Sequence, residues 1–491
     1  MVYKSIIEQI FIHQLENPNK IALSDGKKMI TYSELWIGIL GAKELLSTTY
    51  LIQSKDPIII SADKQLSFAY IYFAAHLLGA IVVPIDPETN ETRFNYIYQK
   101  INPKLIIGFK KDTNCQNASF HDFENTSKYN NEKPEFPLEE QIADIIFTTG
   151  TTGTPKGVVL THKNISAAAS NINSFIRNTS DDIEILALPI SHSFGLGRLR
   201  CILSKGATLI LLGNFANIKR FYRYIDEFKV TGLAVVPSSW TMLKNLSGLR
   251  LADFANQLHY IEIGSAPMPI NEKELLLNLF PNTRICMHYG LTEASRAAFI
   301  EFHEESTHLD TVGKASPNMD IQILDEKGNK CQVNEEGEIC VKGDAVTNGY
   351  WKEHETNTQF FHGQYFRTGD WGCIDTNGYI TLKSRKKELI NVGGKKVSPI
   401  EVENMLRTIT GIKDCVCVGI DDPQKLLGEV VKAFIVPEKD SYLSEKENLF
   451  KLSKQLSGKI ENYKIPVEYE IIQEVPRTTS GKIQRLLLKN K

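Results

Sequence analysis

The stretch TTGTTGTPKG, residues 148–157, puts five threonines, three glycines, a proline and a lysine into ten positions. The apolar run before it, 142-IADIIF-147, predicts a buried strand, and 158-VVL-160 after it predicts a second. From Asn164 onward, 164-NISAAASNINSF-175 predicts a helix with Asn164 as N-cap. The quoted stretch is therefore a loop between two strands. Glycines let backbone N–H groups approach a ligand closely, hydroxyls add donors, and Lys156 adds a fixed positive charge. That mixture suits a phosphate chain, whereas an ordinary Gly/Thr turn has no need of so many hydroxyls. The order Gly150, Gly153, Lys156, Gly157 with a strand next is not the G-x4-G-K-[ST] loop, which runs straight into a helix.

The totals narrow the class. A chain of 491 residues exceeds a single core, so at least two domains are expected. With 42% hydrophobic and 23% charged residues and a formal net charge of −2, bulk charge gives no reason to expect a nucleic-acid partner. The apolar run 71-IYFAAHLLGAIVVPI-85 is broken by His76 and Pro84 and reads as a core helix entering a strand, not a membrane span. No signal peptide is evident. The eight cysteines are scattered without zinc or disulfide spacing, and Cys415 and Cys417 sit in an apolar strand; a reducing cytoplasm is expected. His303 and His308, with Glu304 and Glu305 between them, fit a solvated loop better than a metal site.

Along the chain, helices alternate with apolar strands: 31-TYSELWIGILGAKELL-46, 58-IIIS-61, 66-LSFAYIYFAAHLLG-79 and 81-IVVPID-86. That is the α/β rhythm of a mostly parallel sheet. It resumes with strands 184–190, 207–212, 232–237 and 259–264 and helices near 217–229 and 271–279. From about 311 to 383, short strands with Gly and Asp turns suggest a β-rich subdomain. The charged, then glycine-rich 384-SRKKELINVGGKKVSPIEVE-403 opens a compact α+β domain with helices 400–409 and 444–460 and strands 415–420, 430–436 and 467–472.

Four further stretches are polar where a scaffold would be apolar: 288-HYGLTE-293, 365-YFRTGD-370, Arg385 within 384–403, and 474-EVPRTTSGKIQR-485. Each alone is weak, since Gly-Asp pairs are usually turns and exposed lysines are usually solvated. Their combination and order resemble the adenylate-forming superfamily: acyl- and aryl-CoA ligases, firefly-type luciferases and the adenylation domains of peptide synthetases. The resemblance begins at 31-TYSEL-35 and 79-GAIVVPIDPE-88 and ends at Lys482.

The resemblance implies a large N-terminal α/β domain, residues 1–386, and a small mobile α+β domain, 387–491, hinged at Lys387. It implies that a carboxylate attacks the α-phosphate of ATP, giving an acyl-adenylate and pyrophosphate, and that a thiol then displaces AMP. The loop residues Thr148, Thr149, Gly150, Thr151, Thr152, Gly153 and Lys156 would grip the leaving phosphates. Thr148 and Glu293 resemble the Mg²⁺-associated pair. Asp370 resembles the acceptor of both ribose hydroxyls, assisted by Arg385. Gly264, Ser265 and Ala266, with His288, Tyr289, Gly290 and Thr292, resemble the wall around the nucleotide, Tyr289 stacking on adenine. Lys482 resembles the lysine that bridges the carboxylate and the α-phosphate. After domain rotation, Gly393 and Gly394 would let a thiol arm pass close to the backbone. Two positions depart from relatives: the hinge residue is Lys387 where many carry Asp, and Asn391 replaces a lysine found in some.

His192 in 188-LPISHSFGLG-197 stands at the acyl-pocket position of CoA ligases, and no aspartate near 190–196 offers an anchor for an amino group. Phe194, Trp240 and residues 264–267 and 289–291 are expected to line the pocket, with Trp240 either lining it or in the core. Arg296 is expected to meet a polar substituent or solvent. The implied function is an AMP-forming acid–thiol ligase using ATP, Mg²⁺ and CoA on a small carboxylic acid. A stand-alone enzyme loading a carrier protein's phosphopantetheine remains open, as do transfer to an amine and a luciferase-type oxidase. A non-catalytic nucleotide-binding relative would be expected to have lost one of Lys156, Glu293, Asp370, Arg385 or Lys482.

Overall fold

The computed structural model describes residues 3–111, 113–124, 134–148, 155–215, 217–353, 357–477 and 483–489. The chain divides into two compact units, one of Met1–Ile321 with Val341–Phe366 and one of Gln322–Cys340 with Arg367–Lys491.

The first unit holds two sheets among its described residues. In the six-stranded sheet the order is Gln116–Ala118, Leu105–Ile107, Pro57–Ser61, Ile81–Ile85, Ile142–Thr148, Lys156–Thr161. All neighbours are parallel except the last pair, which is antiparallel. The nine-stranded sheet has a parallel centre built from Ile21–Ser24, Thr208–Leu211, Ile183–Leu186, Gly232–Val235, Tyr260–Ile263 and Arg284–Leu291. Met29–Thr31 closes one edge, and Ala294–Glu301 with Lys314–Ala315 the other, all antiparallel. Parallel strands need both faces covered, which explains why these runs read as mainly apolar. The helix Leu66–Leu77 is buried at all of its positions, as the unbroken apolar run requires. Among the described residues no helix is long and apolar enough to cross a membrane.

The second unit carries a three-stranded sheet in which Glu429–Pro437 pairs antiparallel with Ile412–Asp421 and parallel with Glu468–Ile471. Alternation sorts its central strands into two cores. Cys415 and Cys417 pack with Val402 and Leu406 of the helix Pro399–Arg407, and Val416 and Val418 pack with Val475 and Leu488. All eight cysteines are free thiols.

Two local readings need correcting. The helix after the phosphate loop starts at His162, and its N-cap is Thr161 rather than Asn164. Asn164 is instead the third helical residue of a capping box. Its backbone N–H donates to Thr161 Oγ1 at 3.2 Å, and its Oδ1 accepts from the Thr161 N–H at 2.9 Å. The single helix expected over 444–460 is two short 3₁₀ turns followed by Phe450–Leu456. The Asn448 amide donates to the Tyr442 carbonyl and the Glu445 carboxylate, local bonds that compete with the helical ladder, and Gly458 follows at φ 81°.

Candidate active site

The two strands flanking the phosphate loop end opposite each other, with Thr148 paired to Lys156 across the antiparallel ladder. Thr149, Gly150, Thr151, Thr152 and Gly153 lie outside the described residues, as does Lys482. A segment the sequence did not single out, 346–351, lies against this exit strand. Val159 N–H donates to Gly349 O at 3.1 Å, Trp351 N–H to Gly157 O at 2.8 Å, and Val158 bridges to Tyr350. The same segment touches the turn between Arg284–Leu291 and Ala294–Glu301: Thr347 N–H donates to Glu293 O at 2.8 Å, and Val346 bridges to Ala294.

Tyr350 therefore stands between the two polar motifs. Its hydroxyl donates to Glu293 Oε1 at 2.7 Å. Its ring lies under the Lys156 ammonium, 5.0 Å from the centroid, and Phe360 offers a second face at 4.2 Å. Lys156 and Glu293, separated by more than a hundred residues in sequence, thus flank one aromatic ring.

Glu293 is nearly buried at 9% exposure. One carboxylate and one hydroxyl suit Mg²⁺, which keeps waters and takes its other ligands from phosphates. Among the described residues no group of three or more His, Cys, Asp or Glu side chains forms a protein cage for a metal. The donor set fits an ion that arrives with a nucleotide.

The second cluster is built on the ends of parallel strands, where open α/β sheets place their ligands. Gly264 follows the strand Tyr260–Ile263, and the His288 ring lies directly on it. A Cβ at Gly264 would stand 2.0 Å from His288 Cε1. Ser265 takes φ 74°, a left-handed backbone that a serine seldom adopts. His288 Nδ1 is 2.8 Å from Glu262 Oε1, and the Phe194 ring meets the imidazole edge-on at 4.7 Å. Tyr289 is buried beside it. Burial lowers the His288 pKa although Glu262 opposes this, so the ring is neutral near pH 7. Burial alone would raise the Glu262 pKa, but Arg296 and Arg198 overcome it and hold the carboxyl below its usual range.

This cluster corrects one expectation and decides between two alternatives for another residue. Arg296 does not reach solvent; it is buried and pairs with Glu262 at 3.0 Å. Trp240 lies in the hydrophobic core of the helix-and-sheet layer, its indole N–H donating to Glu272 at 2.8 Å. A large ring with a single donor is stable there once that donor is met.

His192 immediately precedes the helix Ser193–Ser204. The stretch leading to it is tied down by two residues that the sequence reading passed over. Lys64 Nζ donates to the carbonyls of Ala187 and Leu188 at 2.6 and 3.2 Å, and Asp86 accepts from the Ser191 hydroxyl at 3.0 Å. Burial lowers the Lys64 pKa to about 8, against the pull of Asp86. Ser193 Oγ stands 3.4 Å from Thr292 Oγ1, which places the start of this helix against the 288–293 motif.

In the second unit, Asp370 and Arg385 face each other across an antiparallel pair, with Arg385 Nε 2.8 Å from Asp370 Oδ1. Asp370 is 3% exposed, and its N–H donates to Thr368 Oγ1. Gly393 and Gly394 form a two-residue turn between Ile390–Val392 and Lys395–Val397 at φ 57° and 84°, the primed geometry that a tight hairpin favours. The Gly393 N–H donates to Leu427 O at 2.7 Å, and among the described residues nothing lies within 4 Å of a Cβ placed on Gly394.

Residues 11–351 match the model of the AMP-binding enzyme family, and residues 401–482 match the AMP-binding enzyme C-terminal domain. The chain belongs to the AMP-binding enzyme family. Feruloyl-CoA synthase of an Amycolatopsis species is 30% identical, covering 95% of each chain. Oxalate–CoA ligase of Arabidopsis thaliana is 28% identical over 96% of this chain and 95% of its own. The fold is that of ATP-bound MatB from Rhodopseudomonas palustris, with a TM-score of 0.90 at 24% identity over 100% of this chain and 99% of that one. MenE from Bacillus subtilis, solved with an acyl-adenylate, matches with a TM-score of 0.86 at 23% identity over the same shares.

Proposed function

We propose that the protein is an AMP-forming carboxylic acid–thiol ligase. It joins a small carboxylic acid to the α-phosphate of ATP, releases pyrophosphate, and transfers the acyl group to the thiol of CoA. The observation that carries this reading is the meeting of Lys156 and Glu293 on either side of Tyr350, at the stems of the threonine–glycine loop. A cation and a carboxylate held together suit a bound triphosphate and its ion. The two relatives, named as an oxalate–CoA ligase and a feruloyl-CoA synthase, support CoA as the acceptor.

The roles follow from chemistry. Lys156 and the loop neutralise the phosphates that leave, and Thr148 and Glu293 would hold Mg²⁺, whose charge further offsets theirs. The Gly264–Ala266 stretch, His288, Tyr289, Gly290 and Thr292 hold the nucleotide; His288 is neutral and shapes the wall without adding charge. Asp370 accepts the ribose hydroxyls while Arg385 fixes its orientation. Lys482 screens the two anions that must meet, and His192 borders the acid. The Gly393–Gly394 turn, with open space at Gly394, leaves room for the thiol arm. A hinge at Lys387 between segments 1–386 and 387–491 would let one site serve both half-reactions. A cytoplasmic location agrees with eight free thiols.

The test is pyrophosphate release across a panel of carboxylic acids with hydroxylamine as acceptor, followed by CoA in its place. Acid-dependent release with acyl-CoA formed is the expected result. Release with hydroxylamine but no acyl-CoA would point instead to a carrier-protein acceptor, and no release with any acid would refute the reading.

A further inference from the structure

Arg93, which has no place in the motifs or roles above, holds the peptide unit from which the phosphate loop departs; its task rests on the proposed seat of the ATP phosphates at that loop. It is the third residue of the helix Glu91–Ile101, whose inner face buries Phe94, Ile97 and Ile101. The N-cap Asn90 accepts from the Arg93 N–H at 2.9 Å, which fixes the first turn. The helix follows the strand Ile81–Ile85, so it starts at the carboxyl edge of the parallel sheet, where Ile142–Thr148 also ends.

The ladder explains why a donor is needed there. Phe147 is paired with Gly157, yet the Gly157 carbonyl accepts from the Trp351 N–H at 2.8 Å. In an antiparallel ladder such a pair turns its polar groups outward. The Phe147 carbonyl therefore faces the neighbouring strand Ile81–Ile85, but that strand is registered with this one at Val82 and Asp144 and no further along. Arg93 Nη2 stands in for the missing strand donor, 3.2 Å from Phe147 O. The peptide plane it holds carries both the Phe147 carbonyl and the Thr148 N–H, so fixing one fixes the other. Thr148 is in turn the ladder partner of Lys156.

A strand tie alone would not need a charge. Three residues earlier on the same strand, Asp144 meets the buried Arg200 and that charge is closed by an ion pair. Arg93 is half-buried and, among the described residues, forms no ion pair; Asp86 acts on it through its field alone. The single bond to Phe147 leaves four of the five guanidinium N–H groups for other acceptors. Burial lowers its pKa against the pull of Asp86, but a guanidinium keeps its proton at neutral pH. A positive charge withdrawn from water and left unpaired therefore stands at the base of the loop, where it is screened less than on an open surface.

We propose that Arg93 is a positioning residue for the phosphates that leave as pyrophosphate: it fixes the Thr148 peptide at the stem of the loop and adds a second positive charge to that of Lys156.

The experiment measures the Kd of ATP with Mg²⁺, and of AMP, by calorimetry without any acid, for the full chain, Arg93→Met and Arg93→Lys. Methionine keeps apolar bulk and loses both donor and charge. In Arg93→Met the Kd of ATP should rise at least about tenfold, the scale of a lost charge-assisted contact. The Kd of AMP, which lacks the phosphates concerned, should stay within about twofold. Only one N–H is used on the carbonyl, so a lysine can supply both the bond and the charge, and Arg93→Lys should bind ATP within about threefold of the unaltered chain. If Arg93→Met lacks a cooperative thermal transition, Arg93→Gln takes its place. Unchanged ATP affinity in that variant overturns the proposal. Equal weakening of ATP and AMP overturns it too, since a merely structural tie would move both. Arg93→Lys binding as weakly as Arg93→Met overturns the role of the charge. An unaltered chain that shows the expected ATP pattern but releases no pyrophosphate with any acid refutes the ligase reading and upholds Arg93, whereas one that binds no ATP overturns both.

Discussion

Gly264→Ala puts a methyl carbon where the His288 ring already is: 2.0 Å from Cε1, 2.1 Å from Nε2 and 2.6 Å from Nδ1. Carbon atoms in contact sit ~3.5–4.0 Å apart, so the ring or the strand must give way by about 1.5 Å. The ring has nowhere to go. It is 6% exposed, its Nδ1 stands 2.8 Å from Glu262, and Phe194 and Phe299 close in at 4.7 and 5.9 Å between centroids. Overpacking of this kind costs about 1–3 kcal/mol, a fall of a few degrees in Tm for a unit of this size. If the strand end moves instead, Ser265 moves with it, and half of that energy expressed at the nucleotide site raises KM for ATP by about two- to twelvefold. The assay pairs a thermal scan with KM for ATP, in the unaltered chain and in a His288→Ala background. With the ring gone, the same glycine change should cost less than half as much, because the two sites are coupled only through the clash. Unchanged Tm and KM in Gly264→Ala, or an equal penalty in both backgrounds, would refute the reasoning.

Three further predictions concern other elements. Tyr350→Phe removes the hydrogen bond to Glu293, a charge-assisted contact of about 1.5–3 kcal/mol, and should raise the Mg²⁺ concentration needed for half-maximal pyrophosphate release; an unchanged Mg²⁺ dependence would show that Tyr350 does not orient the carboxylate. Lys482→Ala should cripple adenylate formation while sparing acyl transfer from a supplied acyl-adenylate, and equal losses in both half-reactions would contradict a two-conformation cycle. His162 is buried, both its ring nitrogens lack a hydrogen-bond partner among the described residues, and burial, with the neighbouring His76, lowers its pKa from 6.5 to about 3 against the pull of Asp144. The unfolded chain therefore takes up a proton below pH 6.5 that the folded one refuses, so stability falls with pH between about 6.5 and 3. Between pH 6.5 and 5 the loss from this group is about 2 kcal/mol. His162→Gln should flatten that limb in urea or thermal unfolding; parallel pH profiles would exclude His162 as its source.

The sequence alone was enough to find the elements with strong local signals. The strand–loop–strand around 148–157, the parallel apolar strands and the helix Leu66–Leu77 were legible because burial on both faces leaves mainly apolar runs. The polar motifs at 288–293 and 365–370 were legible because they interrupt that pattern, whereas 264–266 was reached only through the family resemblance. The position of the N-cap at Thr161 was less legible, since Thr and Asn three residues apart both satisfy the cap's preference and only the reciprocal bonds distinguish them.

What tertiary structure decided is how distant polar residues are shared out. Tyr350 follows a glycine in 347-TNGYW-351 with no periodicity to mark it, yet it stands between Lys156 and Glu293 because its segment bridges the loop's exit strand and the Glu293 turn. Lys64 sits just past the end of the parallel strand Pro57–Ser61, which is the one clue the sequence held to its place near the site. Arg296 and Trp240 were candidates for the pocket on position alone. Folding placed a carboxylate within reach of each, Glu262 and Glu272, and a buried donor is held by whichever acceptor the fold brings to it. Local sequence determines which segments must be buried and which must stay polar. Which charge meets which depends on contacts between residues far apart in the chain, and no local pattern encodes those.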